Sequence, residues 1–222
     1  MTVLLSTTYF GSVQWYQKLC RADEALIEYH ETFSKQTYRN RCVIATTQGT
    51  QSLTVPVERI SPSTLHPAPS TIKDIRISDH GNWRHLHWNA LMSAYGESPF
   101  FEYYQDDLRP FFEHRWDYLL DFNEAICETV CQLLDIRPHI RHTDSFVKDA
   151  PATVSDFREA INPKHPAPDP DFTPRPYYQV YQQKHGFLPN LSVLDLLFNM
   201  GPEGIFWLYP NTSLTLVSLN VC

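Results

Sequence analysis

Glycine is scarce in this sequence, at 7 of 222 residues, and the motifs that depend on it are missing. No glycine-rich phosphate loop of the P-loop or dinucleotide-binding type occurs, and no glycine–x–serine–x–glycine nucleophile elbow is present. The sequence therefore predicts that any phosphate group is held by cationic side chains rather than by a backbone loop. It identifies no cofactor.

Excess positive charge and long apolar runs are missing as well. The net charge is -7 and the sequence pI is near 5.8, so no long-range attraction for nucleic acid is expected. No run approaches the roughly 18 apolar residues that span a bilayer, and the amino end lacks the pattern of a signal peptide. The five cysteines are odd in number and not clustered like metal ligands. We expect a cytoplasmic protein that binds no nucleic acid and does not insert into a membrane.

What is present predicts an α/β fold. Residues 3–30 read as strand, helix and strand, residues 41–57 as a hairpin around Gly49, and residues 72–78 as a further strand. Helical patterns dominate residues 79–136, where Asp121 and Glu124 have the spacing of a capping box. We predict a small mixed sheet from the amino-terminal half, covered by a helical layer.

Proline is concentrated in one segment, because residues 162–176 hold six of the 17 prolines. Such a run cannot continue a helix interior or a sheet ladder, so we predict an extended connector on the surface. Residues 177–222 are too apolar for a free tail. We predict that they dock back on the body of a single domain that comprises residues 1–222.

Two histidines in the segment NWRHLHWNALMSAYG, residues 82–96, are candidates for chemistry. A spacing of two turns a helix by about 200°, so His85 and His87 lie on nearly opposite faces and cannot share a ligand. No residue of this helix completes a metal pair at a spacing of three or four, and we predict no metal site. His87 lies on the apolar face with Trp83, where an imidazole is either a hydrogen-bonded core residue or a general base.

A second candidate is the cationic segment KQTYRNR, residues 35–41. If it is a strand, alternation places the Arg39 and Arg41 guanidiniums on the same side, with Asn40 facing the other way. Two neighbouring guanidiniums suit a phosphate or carboxylate group, although charged residues also protect a sheet edge from unwanted pairing. The segment is therefore either an anion site or a solvated edge.

The third candidate is a polar stripe on the otherwise apolar helix LSVLDLLFNMG. Ser192 and Asp195 have the spacing of a capping box, and Gly201 is a typical helix stop. Asn199 is not explained by capping. A polar group on a buried helix needs partners, so Asn199 either ties this segment to the core or lines a pocket.

Several blocks occur in a characteristic order: TTYFGSVQWYQKLCRADEALIE, TYRNR, SLTVPV, the tryptophan and histidine of NWRHLHW, YGESPFFEYY and LPNLSVLDLLFNMGPEG. In these blocks the chain resembles the WbqC-like family of bacterial proteins over most of its length. The matching positions include Trp83, His87, Asn40 with Arg41, and residues 191–201. The family's first strand usually runs into glutamine and proline, where this sequence has residues 6–8, Ser-Thr-Thr.

The resemblance implies a cytoplasmic protein of O-antigen or other surface-polysaccharide biosynthesis and, for some members, a transferase that acts on amino sugars. We predict acyl or aminoacyl transfer to a nucleotide-linked amino sugar, with His87 as the general base. The nucleotide-linked sugar or the acyl donor is predicted to contact Tyr9, Trp15, Arg39, Asn40, Arg41, Trp83, Asp195 and Asn199. The alternative is a non-catalytic protein of the same pathway, which binds a sugar nucleotide or assembles with a pathway enzyme.

Overall fold

The computed structural model describes residues 1–58 and 71–209. Its strands are β1 (Thr2–Ser6), β2 (Glu24–Glu28), β3 (Arg41–Thr46), β4 (Gly49–Thr54), β5 (Ile140–His142) and β6 (Val154–Asp156). Its α-helices are α1 (Val13–Arg21), α2 (Trp83–Tyr95), α3 (Phe101–Leu108), α4 (Pro110–Glu113), α5 (Leu119–Leu133), α6 (Gln182–His185), α7 (Val193–Met200) and α8 (Ile205–Leu208). No helix in this part of the chain is long and apolar enough to cross a membrane.

The centre of the fold is a parallel sheet with the strand order β5-β2-β1-β6. β1 is apolar and buried along most of its length, which is typical of a parallel strand covered on both faces. Ser12 caps α1 by accepting a hydrogen bond from the backbone N–H of Trp15. β2 then pairs with β1 from Thr2–Glu24 to Ser6–Glu28. The predicted strand–helix–strand opening and the α/β class are confirmed.

The predicted hairpin is confirmed as a separate antiparallel pair, β3 and β4. The turn ends at Gly49, whose φ of 106° lies in a region that disfavours residues with a Cβ atom. Cys42, Ile44 and Leu53 are buried in the main core. The hairpin therefore packs against the body of the protein through one face.

The predicted strand at residues 72–78 is wrong. Ile72–Asp74 form a 3₁₀ turn, because the Asp74 carboxylate accepts hydrogen bonds from the backbone and hydroxyl of Thr71. Only isolated bridges follow, between Val57 and Ile77 and between Arg76 and Tyr118. A local side-chain bond of this kind competes with strand pairing, and apolar alternation alone does not reveal it.

The predicted capping box at Asp121 and Glu124 is also wrong. α5 begins at Leu119, so Asp121 lies in the first turn rather than at the N-cap, which is Tyr118. An acidic residue in the first turn is favoured by the helix dipole without being the cap. Asp121 and Glu124 therefore have the spacing of a capping box, although Asp121 is not the N-cap.

Residues 162–176 form neither helix nor strand, but they are fixed to α1. The Asp169 carboxylate accepts a hydrogen bond from Lys18 Nζ and one from Gln14 Nε2, each at 2.8 Å. Both members of the Lys18–Asp169 ion pair are almost fully buried, with 3% and 4% of their side chains exposed. Lys18 Nζ also lies 4.4 Å from the centre of the Phe157 ring. A buried charge pair thus anchors the proline-rich segment.

The segment after the prolines contacts the turn between β1 and α1. Ser192 Oγ donates to the backbone oxygen of Phe10, and the backbone N–H of Val193 donates to Gly11. Ser192 caps α7, and the helix stops at Gly201, where φ is 55°. Residues 210–222 of the predicted docked segment lie outside the described residues. Residues 177–209 lie against the body of the fold.

Candidate functional site

The carboxyl ends of the four parallel strands meet at one edge of the sheet. The order β5-β2-β1-β6 puts β1 between its sequential partner β2 and the last strand, which is a topological switch point. Open α/β sheets bind ligands at such points, outside the carboxyl ends of the strands. Polar side chains are buried around this edge, namely Ser6, Thr7, Thr8, Glu28, Glu31, Arg39 and Thr143. This edge is the candidate site.

A cavity of about 360 Å³, the charged cavity, lies at this edge. Three cationic and three acidic side chains line it. A ligand that carries both anionic groups and hydrogen-bond donors would match this surface. The lining residues are Glu31, Thr32, Ser34, Arg39, Phe146, Lys148, Asp156, Arg158 and Glu159.

Arg39 and Glu31 form a buried ion pair in the wall of the charged cavity. Arg39 Nε donates to Glu31 Oε1 at 2.7 Å, and Nη2 donates to Oε2. Ser6, the last residue of β1, joins both: its Oγ accepts from Arg39 Nη2 at 2.9 Å and donates to Glu31 Oε2 at 3.1 Å. The guanidinium is therefore locked at the end of the central strand.

A second charge network occupies the ends of β2 and β6. Glu28 is fully buried and accepts hydrogen bonds from Thr143 Oγ1 at 2.7 Å, from the backbone of Val147 at 2.9 Å and from Arg158 Nη1 at 3.4 Å. Arg158 also binds Asp156 with Nε and Nη2. Burial alone would raise the pKa of Asp156, but the hydrogen bonds from Arg158 outweigh it and lower the pKa. The Asp156 carboxylate therefore stays ionised at neutral pH.

A second cavity, of about 350 Å³, lies between α5 and the sheet, and we call it the apolar cavity. Its walls are mostly aliphatic, aromatic and thiol groups. Two threonines at the end of β1 and several polar side chains complete it. The lining residues are Thr7, Thr8, Trp15, Ile27, Asn123, Glu124, Cys127, Glu128, Cys131, Gln132, Ile136, Pro138, Ile140 and His142.

Asn123 lines the apolar cavity and has a buried hydrogen-bond acceptor without a partner among the described residues. Its side chain is buried, and Nδ2 donates to the backbone oxygen of Arg39 at 2.8 Å. Because that partner is a carbonyl, the orientation of the amide is fixed. Oδ1 has no hydrogen-bond partner within residues 1–58 and 71–209. A ligand group with an N–H or O–H would satisfy it.

The walls of the two cavities are linked at the end of β1. Ser6 binds the two residues that form the ion pair of the charged cavity, and the next two residues line the apolar cavity. Asn123 links them as well, through its bond to the Arg39 backbone. The walls of the two cavities are therefore joined through the end of β1 and through the bond between Asn123 and Arg39.

Two of the predicted site residues belong to these cavities. Arg39 lines the charged cavity, and Trp15 lines the apolar cavity. Trp15 Nε1 donates to the backbone oxygen of Ser6 at 2.9 Å, so both residues contact the same strand end.

His87 lies in the core, where its Nδ1 atom is bonded to another side chain. Nδ1 is 2.9 Å from the hydroxyl of Tyr9. Tyr9 and Trp83 pack against the ring, at centroid distances of 5.8 and 5.1 Å. Burial lowers the pKa of His87 to about 4, although the nearby backbone of Thr54 opposes the shift. His87 lines neither cavity, and its role as a general base stays a prediction.

We expect His87 to make the protein less stable in mild acid. The folded state holds the ring neutral with a pKa of about 4, whereas the unfolded chain takes up a proton near pH 6.5. The contribution of His87 to stability is therefore complete above pH 6.5 and is lost as the pH falls towards 4, up to about 3 kcal/mol. Urea denaturation of the wild type and of His87→Gln between pH 4 and 7 measures it: the stability deficit of the variant should shrink as the pH falls.

His85→Gln is the matched control, because His85 is exposed on the same helix. Its replacement should change the free energy of unfolding by no more than about 0.5 kcal/mol. Asp195 acts in the opposite direction: burial raises its pKa from 3.8 to about 6, so its contribution to stability is present below pH 3.8 and is lost as the pH rises through 6. Because the wild type and His87→Gln both contain Asp195, its contribution cancels when their stabilities are compared. If the stability deficit of His87→Gln were constant with pH, this would contradict the lowered pKa of His87.

Asp195 and Asn199 hold the carboxyl-terminal segment rather than line either cavity. The predicted capping box is wrong for Asp195, because its carboxylate faces inward, where side-chain donors outcompete the helix end. Asn199 Nδ2 donates to the backbone oxygen of Asp195, and Oδ1 accepts from Val180. The donors to Asp195 are the Tyr95 hydroxyl at 3.0 Å, the Tyr177 hydroxyl at 2.7 Å and Gln179 Nε2 at 2.8 Å.

The predicted pairing of Arg39 with Arg41 on one side of a strand is wrong, because β3 begins only at Arg41. Arg41 Nε donates to Thr54 Oγ1 in the hairpin, whereas Arg39 reaches back to the parallel sheet. Asn40 is buried and donates to the backbone of Val55. The structure therefore brings Arg39 and Trp15 to the candidate site but leaves His87, Arg41 and Asn199 in separate networks.

The sequence alone did not identify most residues of the candidate site. Glu28, an acid that ends the apolar strand EALIE, carried a usable signal, since a buried carboxylate needs partners. Asp156 and Arg158 had no such signal in the sequence, because β6 has only three residues and gives no recognisable strand pattern. Within the described part of the chain, no group of three or more His, Cys, Asp or Glu residues could hold a metal ion.

The chain is similar to known proteins along most of its length. A model described as the WbqC-like protein family matches residues 7–164. A protein of Mycobacterium tuberculosis, described as "Uncharacterized protein Rv1507c", is 26% identical over an alignment of 222 positions, which covers 90% of this chain and 94% of the relative. No solved structure matches the chain. The span matched by the family model contains every residue that lines the two cavities.

Proposed function

The chain belongs to the WbqC-like protein family, and from that premise we propose that it is a transferase of surface-polysaccharide biosynthesis. It transfers an acyl or aminoacyl group to the amine of a nucleotide-linked amino sugar. One observation carries the proposal: the walls of a charged cavity and of an apolar cavity are linked at the carboxyl end of the central parallel strand. A reaction between a charged substrate and an acyl donor needs two such compartments side by side.

The charged cavity suits the diphosphate of a sugar nucleotide. Lys148 is exposed at its rim, and Arg39 uses only Nε and Nη2 in its bonds to Glu31 and Ser6, as far as the described residues extend. Nη1 therefore remains as a donor to a phosphate oxygen. Because the ion pair already fixes the guanidinium, binding orders no further arginine rotamers. In a protein of net charge -7, such a local cluster supplies the attraction that the whole surface does not.

The amino sugar would then reach from the charged cavity past the end of β1 into the apolar cavity. Asn123 Oδ1 accepts from the sugar amine or a hydroxyl, the hydroxyls of Thr7 and Thr8 bond to the sugar, and Trp15 packs against its ring. The aliphatic and thiol walls take the acyl group. A volume of about 350 Å³ lies within the usual range of small-molecule sites, about 300–1,000 Å³.

We expect a nucleotide-linked amino sugar to bind with a stoichiometry of one and to raise the melting temperature in a thermal-shift screen. Lys148→Met should weaken the binding about tenfold in isothermal titration calorimetry, because it removes one charge-assisted contact to phosphate. Lys148 is exposed, so its replacement should leave the fold intact.

Lys73→Met is the matched control, since Lys73 is an exposed lysine that lines neither cavity. Equal affinities of both variants would argue against the charged cavity as the phosphate site. No response to any nucleotide-linked sugar would overturn the proposal. Binding without product from any acyl donor would favour the alternative of a non-catalytic binding protein in the same pathway.

A further inference from the structure

His142 is the last residue of β5 and lines the apolar cavity. Its Nε2 lies 3.0 Å from Oε1 of Glu124, which lines the same cavity from α5. Both side chains are about half exposed, at 48% and 40%. A histidine beside a carboxylate at the rim of a cavity has the arrangement by which proteins orient a general base.

The His142 ring is held in one orientation from two sides. It stacks on Tyr29 with a centroid distance of 4.1 Å and an angle of 18° between the planes. On the other side, the Glu124 carboxylate favours the tautomer in which Nε2 carries the proton. Nδ1 is then the basic nitrogen, and it makes no hydrogen bond within residues 1–58 and 71–209. His87 differs in this respect, because its Nδ1 atom is bonded to the Tyr9 hydroxyl.

We propose that His142 is the general base of the transfer, with Glu124 as its positioning residue; this rests on the proposed function. Among the described residues that line the two cavities, His142 is the only histidine. Asn123, whose open acceptor would hold the sugar amine, directly precedes Glu124 on α5. The amine and the base are therefore presented by the same turn of helix and the strand facing it.

The acyl group comes from an activated donor such as a thioester. The amine nitrogen attacks the acyl carbon, the carbon–nitrogen bond forms and the carbon–sulfur bond breaks. His142 Nδ1 takes the proton from the amine, and the imidazolium then returns it to the departing thiolate. The products are the amide and the free thiol, with no change of oxidation state.

Cys127, which lines the apolar cavity, is a poor candidate for a covalent acyl intermediate. A hydrogen bond to Cys131 and burial both raise the pKa of Cys127 well above its ordinary value. The thiolate is the nucleophilic form of cysteine, so Cys127 stays unreactive near neutral pH. Direct transfer from the donor to the amine, assisted by His142, requires no enzyme nucleophile.

The test compares His142→Gln and Glu124→Gln with the control His85→Gln, which replaces an exposed histidine outside both cavities. The probes are a uridine diphosphate-linked amino sugar with acyl thioesters of different chain length. Calorimetry measures binding of the sugar nucleotide, and mass spectrometry measures the amide product. His142→Gln should bind within about twofold of the wild type but form product at least ~100-fold more slowly, the usual size of a lost general base. Glu124→Gln should slow product formation less than His142→Gln does, and it should shift the pH–rate profile.

The acidic limb of the pH–rate profile should disappear in His142→Gln, which a merely structural role would not produce. Product formation by His142→Gln at the wild-type rate would overturn the assignment. Binding by the wild type without product would also overturn it, while leaving the sugar-nucleotide site in place. Absence of binding by the wild type would instead overturn the proposed function itself.

Discussion

Replacement of Asp169 by asparagine should lower the free energy of unfolding by about 3–5 kcal/mol, the usual cost of leaving one partner of a buried ion pair alone. Asparagine keeps the size of the side chain but removes the charge that balances Lys18, a residue of α1 that is buried beside Phe157. Gln14 would lose a charged acceptor as well. Urea denaturation at pH 7, monitored by circular dichroism, measures the change.

Asp171→Asn is the control, because Asp171 is exposed two residues away; it should change stability by no more than about 0.5 kcal/mol. The double variant Lys18→Met with Asp169→Leu should recover most of the lost stability, since apolar pairs often replace buried ion pairs at little cost. A loss of less than about 1 kcal/mol in Asp169→Asn would contradict the view that this pair anchors the proline-rich segment.

Arg39→Met should also lower the free energy of unfolding by about 3–5 kcal/mol, because it leaves Glu31 buried without its partner. Arg41→Met is the matched control: Arg41 is only half-buried and bonds to one threonine, so its loss should cost about 1 kcal/mol or less. Urea denaturation of both variants measures the difference between two arginines that stand two residues apart.

The double variant Arg39→Met with Glu31→Leu separates the structural role of Arg39 from binding. It should regain most of the stability that Arg39→Met loses, because no uncompensated charge remains. Its affinity for the nucleotide-linked amino sugar should nevertheless fall by at least about tenfold, since the fixed guanidinium is gone. A stable double variant with wild-type affinity would exclude the charged cavity as the anion site.

The elements that the sequence predicted correctly are those with local signals. β1, α1 and β2 follow from apolar runs and a serine cap, and the hairpin follows from alternation around Gly49. The three-residue strands β5 and β6 give no such pattern, yet they complete the sheet and supply its switch point. Strand order depends on pairings between residues far apart in the chain, which local periodicity does not encode.

The candidate site illustrates the same limit. Helical periodicity correctly put His87 on the buried face, but its partner Tyr9 is 78 residues away, so the sequence could not distinguish a core histidine from a base. Arg39 was identified by charge, whereas its contacts with Glu31 and Ser6 depend on the tertiary fold. His142 meets Glu124 only because β5 lies beside α5 in the fold. These residues are far apart in the sequence and meet only in the folded protein.

The most direct test of a two-compartment site is a crystal structure of the protein with a nucleotide-linked amino sugar bound. The diphosphate should lie in the charged cavity against Arg39 and Lys148, and the sugar amine should lie within hydrogen-bond distance of Asn123 Oδ1. A ligand bound elsewhere, for example in the groove of threonines and glutamines beside Tyr181, would contradict the account.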